Sequence, residues 1–118
     1  MKFDRHTVVL LVRPPDAPEL SEEEAATLQD AHLAHQAALA ERGLVIAAGP
    51  LDDQDDERLR GICVLSVEPQ EARRLYSRDP SVLRGRLAVE VMTWMVPAGN
   101  VGFTPVKVPS SVAEAMAD

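Results

Sequence analysis

The sequence predicts an α+β domain whose strands and helices follow one another as β-α-β-β-α-β. Three observations carry this expectation. Four apolar runs, around Thr7 to Val12, Leu44 to Ala48, Leu59 to Ser66 and Leu87 to Met95, have the length and the β-branched content of strands. A long segment with helical periodicity, Glu22 to Arg42, lies between the first two runs, and a shorter one opening at Pro69 lies between the last two. Between the second and third runs there is only an acidic turn, Asp52 to Glu57, so the middle pair is free to form a hairpin.

Each element has its own local reason. The first strand is expected from Phe3 to Arg13, where Pro14-Pro15 ends it by removing backbone donors. Ser21 and Glu24 stand at the S-x-x-E spacing of a capping box, and Gly43 sits where a left-handed cap closes a helix, so helix one spans Glu22 to Arg42. Leu44 to Ala48 is the second strand, closed by Gly49-Pro50, and Leu59 to Ser66 is the third. Pro69 suits the first position of helix two, with Glu71 in its positive first turn, and that helix is expected to reach about Ser77. Asp79 precedes Pro80, a context that disfavours helical dihedrals; the chain breaks there into a short turn, Ser81 to Arg84, before Gly85 and the fourth strand, Leu87 to Met95. Right-handed crossovers then leave the ferredoxin-like plan, a four-stranded antiparallel sheet with two helices on one face. Residues 1–96 form this domain. Residues 97–118 are a Pro, Gly and Val-rich extension ending in a short helix, Ser110 to Met116.

Composition excludes several functions. The net charge of -7 comes without a basic stripe, so nucleic acid is not an expected partner. No apolar run is long enough to span a bilayer, and the N-terminal residues lack the pattern of a signal peptide, so a cytoplasmic protein with no membrane partner is expected. Cys63, the one cysteine, lies in an apolar run and reads as a buried free thiol. The strands also carry apolar residues at successive positions, so both faces of the sheet seek burial. Two helices cover one face; the other is expected to meet the sheet of a second copy across a two-fold axis.

One residue breaks the apolar pattern of helix one. At about 100° per residue, Ala25, Leu28, His32 and Leu39 share a face, with His35 beside them and Asp30 and Glu41 opposite. Imidazole titrates near neutrality, so a histidine aimed at the core is either packing or chemistry. A hydrogen-bonded core histidine is one reading, and Asp79-Pro80 equally suits an N-cap followed by the first helical position. The other reading brings His32 and Asp79 together at a rim of the sheet-helix cleft. A carboxylate on one ring nitrogen fixes the tautomer and leaves the other nitrogen to take a proton from a bound molecule. No nucleophile elbow, phosphate loop or dinucleotide fingerprint is present, so proton transfer is the chemistry these residues support, with no cofactor expected. His32 and His35, one turn apart, lack a spaced third ligand, Asp79 and His6 being the only further candidates, and no metal site is expected. Arg13, at the end of strand one, and Trp94, near the end of strand four, are placed where they could border a ligand cavity, but the preferred reading is a solvated charge for Arg13 and core or subunit-seam packing for Trp94.

The segment AHLAHQAALAERGLVIAAGP (Ala31 to Pro50), the strand entry Leu59-Arg60-Gly61 and the break Ser77-Arg78-Asp79-Pro80 together resemble the YCII-related (YciI-like) family across roughly Phe3 to Val96. The resemblance implies a dimeric α+β barrel akin to that of muconolactone isomerases, and a site built from a helix-one histidine and the Asp-Pro aspartate, which match His32 and Asp79. One branch of the family eliminates HCl from a chlorinated hydroxyhydroquinone. The chain departs from the pattern at His35, in the acidic turn and in the extension beyond Pro97. The expectation is a homodimer using a His32-Asp79 pair for lyase or isomerase chemistry on a small anionic or phenolic molecule. His35, Gly49 and Pro50 are its expected substrate contacts. A non-catalytic dimeric module that binds a small ligand or supports a pathway partner is the alternative.

Overall fold

A computed structural model describes residues 1–117. Its elements are β1 (Phe3–Val12), α1 (Glu22–Glu41), β2 (Val45–Pro50), β3 (Leu59–Leu65), α2 (Pro69–Tyr76), α3 (Pro80–Leu83), β4 (Ala88–Pro97) and α4 (Val112–Met116). The four strands form one antiparallel sheet in the order β2-β3-β1-β4. This is the ferredoxin-like arrangement expected from the order of elements. Among the described residues no helix is long and apolar enough to cross a membrane.

Local chemistry sets the ends of α1. The Ser21 hydroxyl accepts from the Glu24 amide at 3.1 Å while the Glu24 carboxylate accepts from the Ser21 amide at 3.1 Å, which satisfies two of the donors every helix start leaves open. At the other end Gly43 takes a φ of 75°, and the Gly43 and Leu44 amides bond back to Ala40 and Leu39. That pair of bonds is a Schellman closure, and its left-handed residue favours glycine. It turns the chain directly into β2, which fixes where α1 crosses the sheet.

The two faces of the sheet differ. On the inner face Val9 and Leu11 of β1 and Cys63 and Leu65 of β3 form one core with Leu39 of α1 and Ala72, Leu75 and Tyr76 of α2. Burial of each large apolar side chain contributes about 1.5–3 kcal/mol, so this layer is what holds the helices on the sheet. On the outer face Val8 and Val64 are paired and buried, whereas Ile62 (37%), Met92 (39%) and Trp94 (44%) remain exposed. Phe103, from the C-terminal segment, stands edge-on to His6 of this face with ring centroids 5.3 Å apart.

Several boundaries shift from expectation. Strand β2 continues through Gly49 to Pro50, which an edge strand tolerates because one side of it needs no donor. The turn after Asp79 is a single helical turn, α3, and β4 runs two residues further than expected, to Pro97. The extension beyond it does not hang free. Helix α4 folds back on α1, where the Val112 amide donates to Asp30 Oδ1 at 2.8 Å.

Candidate active site

His32 sits at the middle of α1, facing the sheet, and Asp79 lies in the break between α2 and α3. The His32 Nδ1–H donates to Asp79 Oδ2 at 2.6 Å, and both residues are buried, at 3% and 0% exposure. The other carboxylate oxygen, Oδ1, accepts from the Ser81 amide at 2.8 Å and caps α3. Asp79 therefore caps α3 with one oxygen and pairs with His32 through the other. Pro80 starts α3 at its first position, which makes Asp79 the N-cap residue.

With Nδ1 committed to a carboxylate, Nδ1 carries the proton of that bond, and whenever the ring is neutral the free lone pair is on Nε2. Among the described residues Nε2 has no hydrogen-bond partner, and His32 lines a cavity of about 430 Å³. A volume of that size suits a small organic ligand. Gln36, one turn beyond His32, also borders the cavity and is itself buried. Its Oε1 accepts from the Tyr76 hydroxyl at 3.0 Å and from the Cys63 thiol at 3.2 Å, which leaves the amide NH2 as the group free to meet a ligand. Burial pushes the Cys63 thiol up to about 11, and pushes the Tyr76 phenol up as well, so both are neutral donors to Gln36.

The expected substrate contacts separate. Gly49 and Pro50, at the end of β2, do line the cavity. His35 does not join them: its Nε2–H donates to the Leu75 carbonyl at 3.2 Å and its ring stands edge-on to Tyr76. Three residues along a helix is about 300°, enough to turn His35 toward α2. Arg13, read from the sequence as a solvated charge, instead forms part of the cavity wall, because β1 ends there at the same edge as Pro50 and Gly61. Trp94 lies on the outer face, away from the cavity. Among the described residues no group of three or more His, Cys, Asp and Glu is placed to hold a metal ion.

Six of the lining residues were missed by sequence reasoning. Gln36 had a signal, since it lies four residues after His32 and so on the same helix face. Arg60 and Gly61 had only their nearness to a motif. A side chain on Gly61 would meet Leu11 Cδ1 and the Gly49 carbonyl at 3.2 Å, so glycine there permits the close approach of β2 beside the cavity. Val108, Val112 and Met116 of the extension also line the cavity, and no local pattern in the extension announces that.

An α+β sheet-helix domain with a buried His-Asp pair opening into a ligand-sized cavity is the class these features define. A family model, the YCII-related domain, matches residues 7–95, and the chain belongs to that family. The match spans β1 to β4 with both residues of the pair, and leaves α4 outside. No curated protein matches the chain.

Proposed function

We propose that this chain is a proton-transfer enzyme of lyase or isomerase type acting on a small organic molecule in the His32 cavity, without a cofactor. The observation that supports the reading is the 2.6 Å bond from His32 Nδ1 to a buried carboxylate, in a residue that lines the cavity and whose Nε2 has no hydrogen-bond partner among the described residues. Nε2 takes a proton from an activated C–H or O–H. In an elimination of the dehydrochlorinase kind, the electrons of the C–H bond become the new double bond and chloride leaves with its bonding pair. In an isomerisation the same nitrogen returns the proton to another atom. Asp79 is a positioning residue: it holds the tautomer and stabilises the imidazolium formed in the step. Gln36, which lines the cavity and whose Oε1 is already occupied, donates from its amide to oxygen that gains negative charge.

The test is a substrate screen by thermal shift and turnover, repeated on variants. His32→Ala is expected to abolish turnover. Asp79→Asn keeps an oxygen for the Ser81 amide but presents NH2 to Nδ1, which drives the proton to Nε2 and removes the base. Turnover should then fall by about 10²- to 10⁴-fold while the melting transition stays cooperative. Variants that bind ligands less tightly but turn over any substrate at the native rate would show a binding module instead. We further propose that the chain works as a homodimer through the outer sheet face.

A further inference from the structure

Two guanidinium groups, Arg13 and Arg60, border the His32 cavity, and among the described residues neither is held in an ion pair. Arg13 donates from Nε to the Arg86 carbonyl at 2.9 Å, which fixes the root of its planar group, and among the described residues its two Nη groups have no partner. Arg60 makes one contact, Nη1 to the Glu57 carbonyl at 3.3 Å. Arg86, behind Arg13, donates to the Pro18 carbonyl at 3.0 Å. Among the described residues none of these three is ion-paired, whereas Arg58 holds Asp56 and Arg74 holds Glu71. Arg60 also borders the hollow of the acidic turn, formed by Asp52, Asp53 and Glu57. Yet no carboxylate of that turn reaches it within ion-pairing distance.

This grouping runs against the composition. The chain has 19 acidic and 12 basic residues, so carboxylates are in excess, yet among the described residues these three arginines have no carboxylate within ion-pairing distance. Burial first, then the neighbouring Arg86 and Arg60 charges, hold the Arg13 pKa below its ordinary value, so the three fields overlap at the cavity wall. An anion between Arg13 and Arg60 would relieve that repulsion, and a planar two-oxygen anion matches the guanidinium fork. Apart from Gln29, His32 and Gln36 the rest of the wall is apolar, and includes Leu11, Leu33 and Leu87 with Val112 and Met116 of the extension.

We infer that the cavity takes a small organic carboxylate, its carboxylate held by Arg13 and Arg60 and its apolar body reaching toward His32. This names the substrate class for the proton-transfer reading and rests on it for the reaction, though not for the binding. Helix α4, which lies beyond the part of the chain matched by the family model, then shapes the apolar end of the pocket.

Benzoate and its neutral isostere benzamide are the probes, titrated into the full chain and followed by amide and imidazole NMR signals. Benzoate is expected to bind saturably, shift the Gly49 and Gly61 amides, and weaken with added salt. Benzamide should bind at least about tenfold more weakly, the scale of one charge-assisted hydrogen-bond pair. Arg60→Gln, at an exposed site, and Arg13→Gln should each lower benzoate affinity by about tenfold or more, while Arg58→Gln leaves it unchanged. His32→Gln should still bind benzoate. Equal binding of the two probes, no saturable benzoate binding, or indifference to both arginine changes overturns the carboxylate site. Benzoate binding that follows the arginines, in a protein whose Asp79→Asn variant turns over substrate at the native rate, would keep the carboxylate site and reject the proton-transfer role.

Discussion

At the scale of single residues, the site depends on how many bonds each polar group makes. Asp79 is fully buried, and a buried carboxylate is tolerated only when its oxygens are occupied. It meets that demand with the Ser81 amide on one oxygen and His32 on the other. Losing either partner would leave part of a buried charge uncompensated, so the pair is structural and chemical at once. Cys63 follows the same logic in reverse. It is buried and donates to Gln36, and its thiol is held up to about 11 from an ordinary 9.0. Cys63 is therefore expected to resist iodoacetamide at pH 8 in the folded protein and to react once the chain is unfolded in urea. The linkage has a definite sign: between about pH 9 and 11 the unfolded chain releases this proton and the folded chain keeps it, so stability falls as pH rises through that window. Urea melts at pH 8, 9 and 10.5 check this, with Cys63→Ala expected to flatten that part of the dependence.

At the scale of elements, α1 has to be held in register because His32 and Gln36 are useful only if both face the sheet. The capping box at Ser21 and the closure at Gly43 fix the two ends of the helix. The first two turns carry little of the packing, since Ala25 and Leu28 are only half-buried, while His32, Gln36 and Leu39 are buried. Stability at the N-terminal end thus leans on the cap. Ser21→Ala is expected to cost about 1 kcal/mol in a denaturant melt, the usual loss for a removed N-cap. Because the site lies three turns further on, its geometry should survive. Equal stability of the variant and the parent chain would show that packing of α4 against α1 holds that end instead. Most of α1 was legible in the sequence for the same reason: caps are local signals. The burial of Gln36 was less legible, because a glutamine on a helix face reads as polar until Cys63 and Tyr76, from other elements, are brought to its carbonyl.

At the scale of the whole molecule, the outer face of the sheet is the unfinished surface. Ile62, Met92 and Trp94 are exposed across neighbouring strands around the buried pair Val8 and Val64. An apolar patch on a sheet face is costly in water and is commonly covered by a partner. For the proposed dimer, sedimentation equilibrium is expected to give twice the 12.8 kDa chain mass at micromolar concentration. Met92→Glu, which places a charge at the centre of that patch, should shift the equilibrium to monomer without loss of the helical signal. A parent chain that sediments as a monomer throughout would remove the dimer. The order of the strands was readable in advance, since alternating apolar runs and short connections leave few topologies. The way the extension reaches back across the molecule was not. Phe103 meets His6 on one face while Met116 meets the cavity beside the other, contacts between residues distant in sequence with no periodicity to mark them.

The sequence by itself determined the β-α-β-β-α-β order, the capped ends of α1, the break at Asp79-Pro80 and the family, because each rests on residues close together in the chain. It also placed a histidine on the inward face of α1. Only the tertiary structure decided that Asp79 serves α3 and His32 together, that His35 turns to Leu75, and that Arg13 and Arg60 face a shared cavity closed by α4. Those outcomes depend on distances between separate elements. Periodicity specifies which face a side chain occupies, but packing decides what stands opposite it.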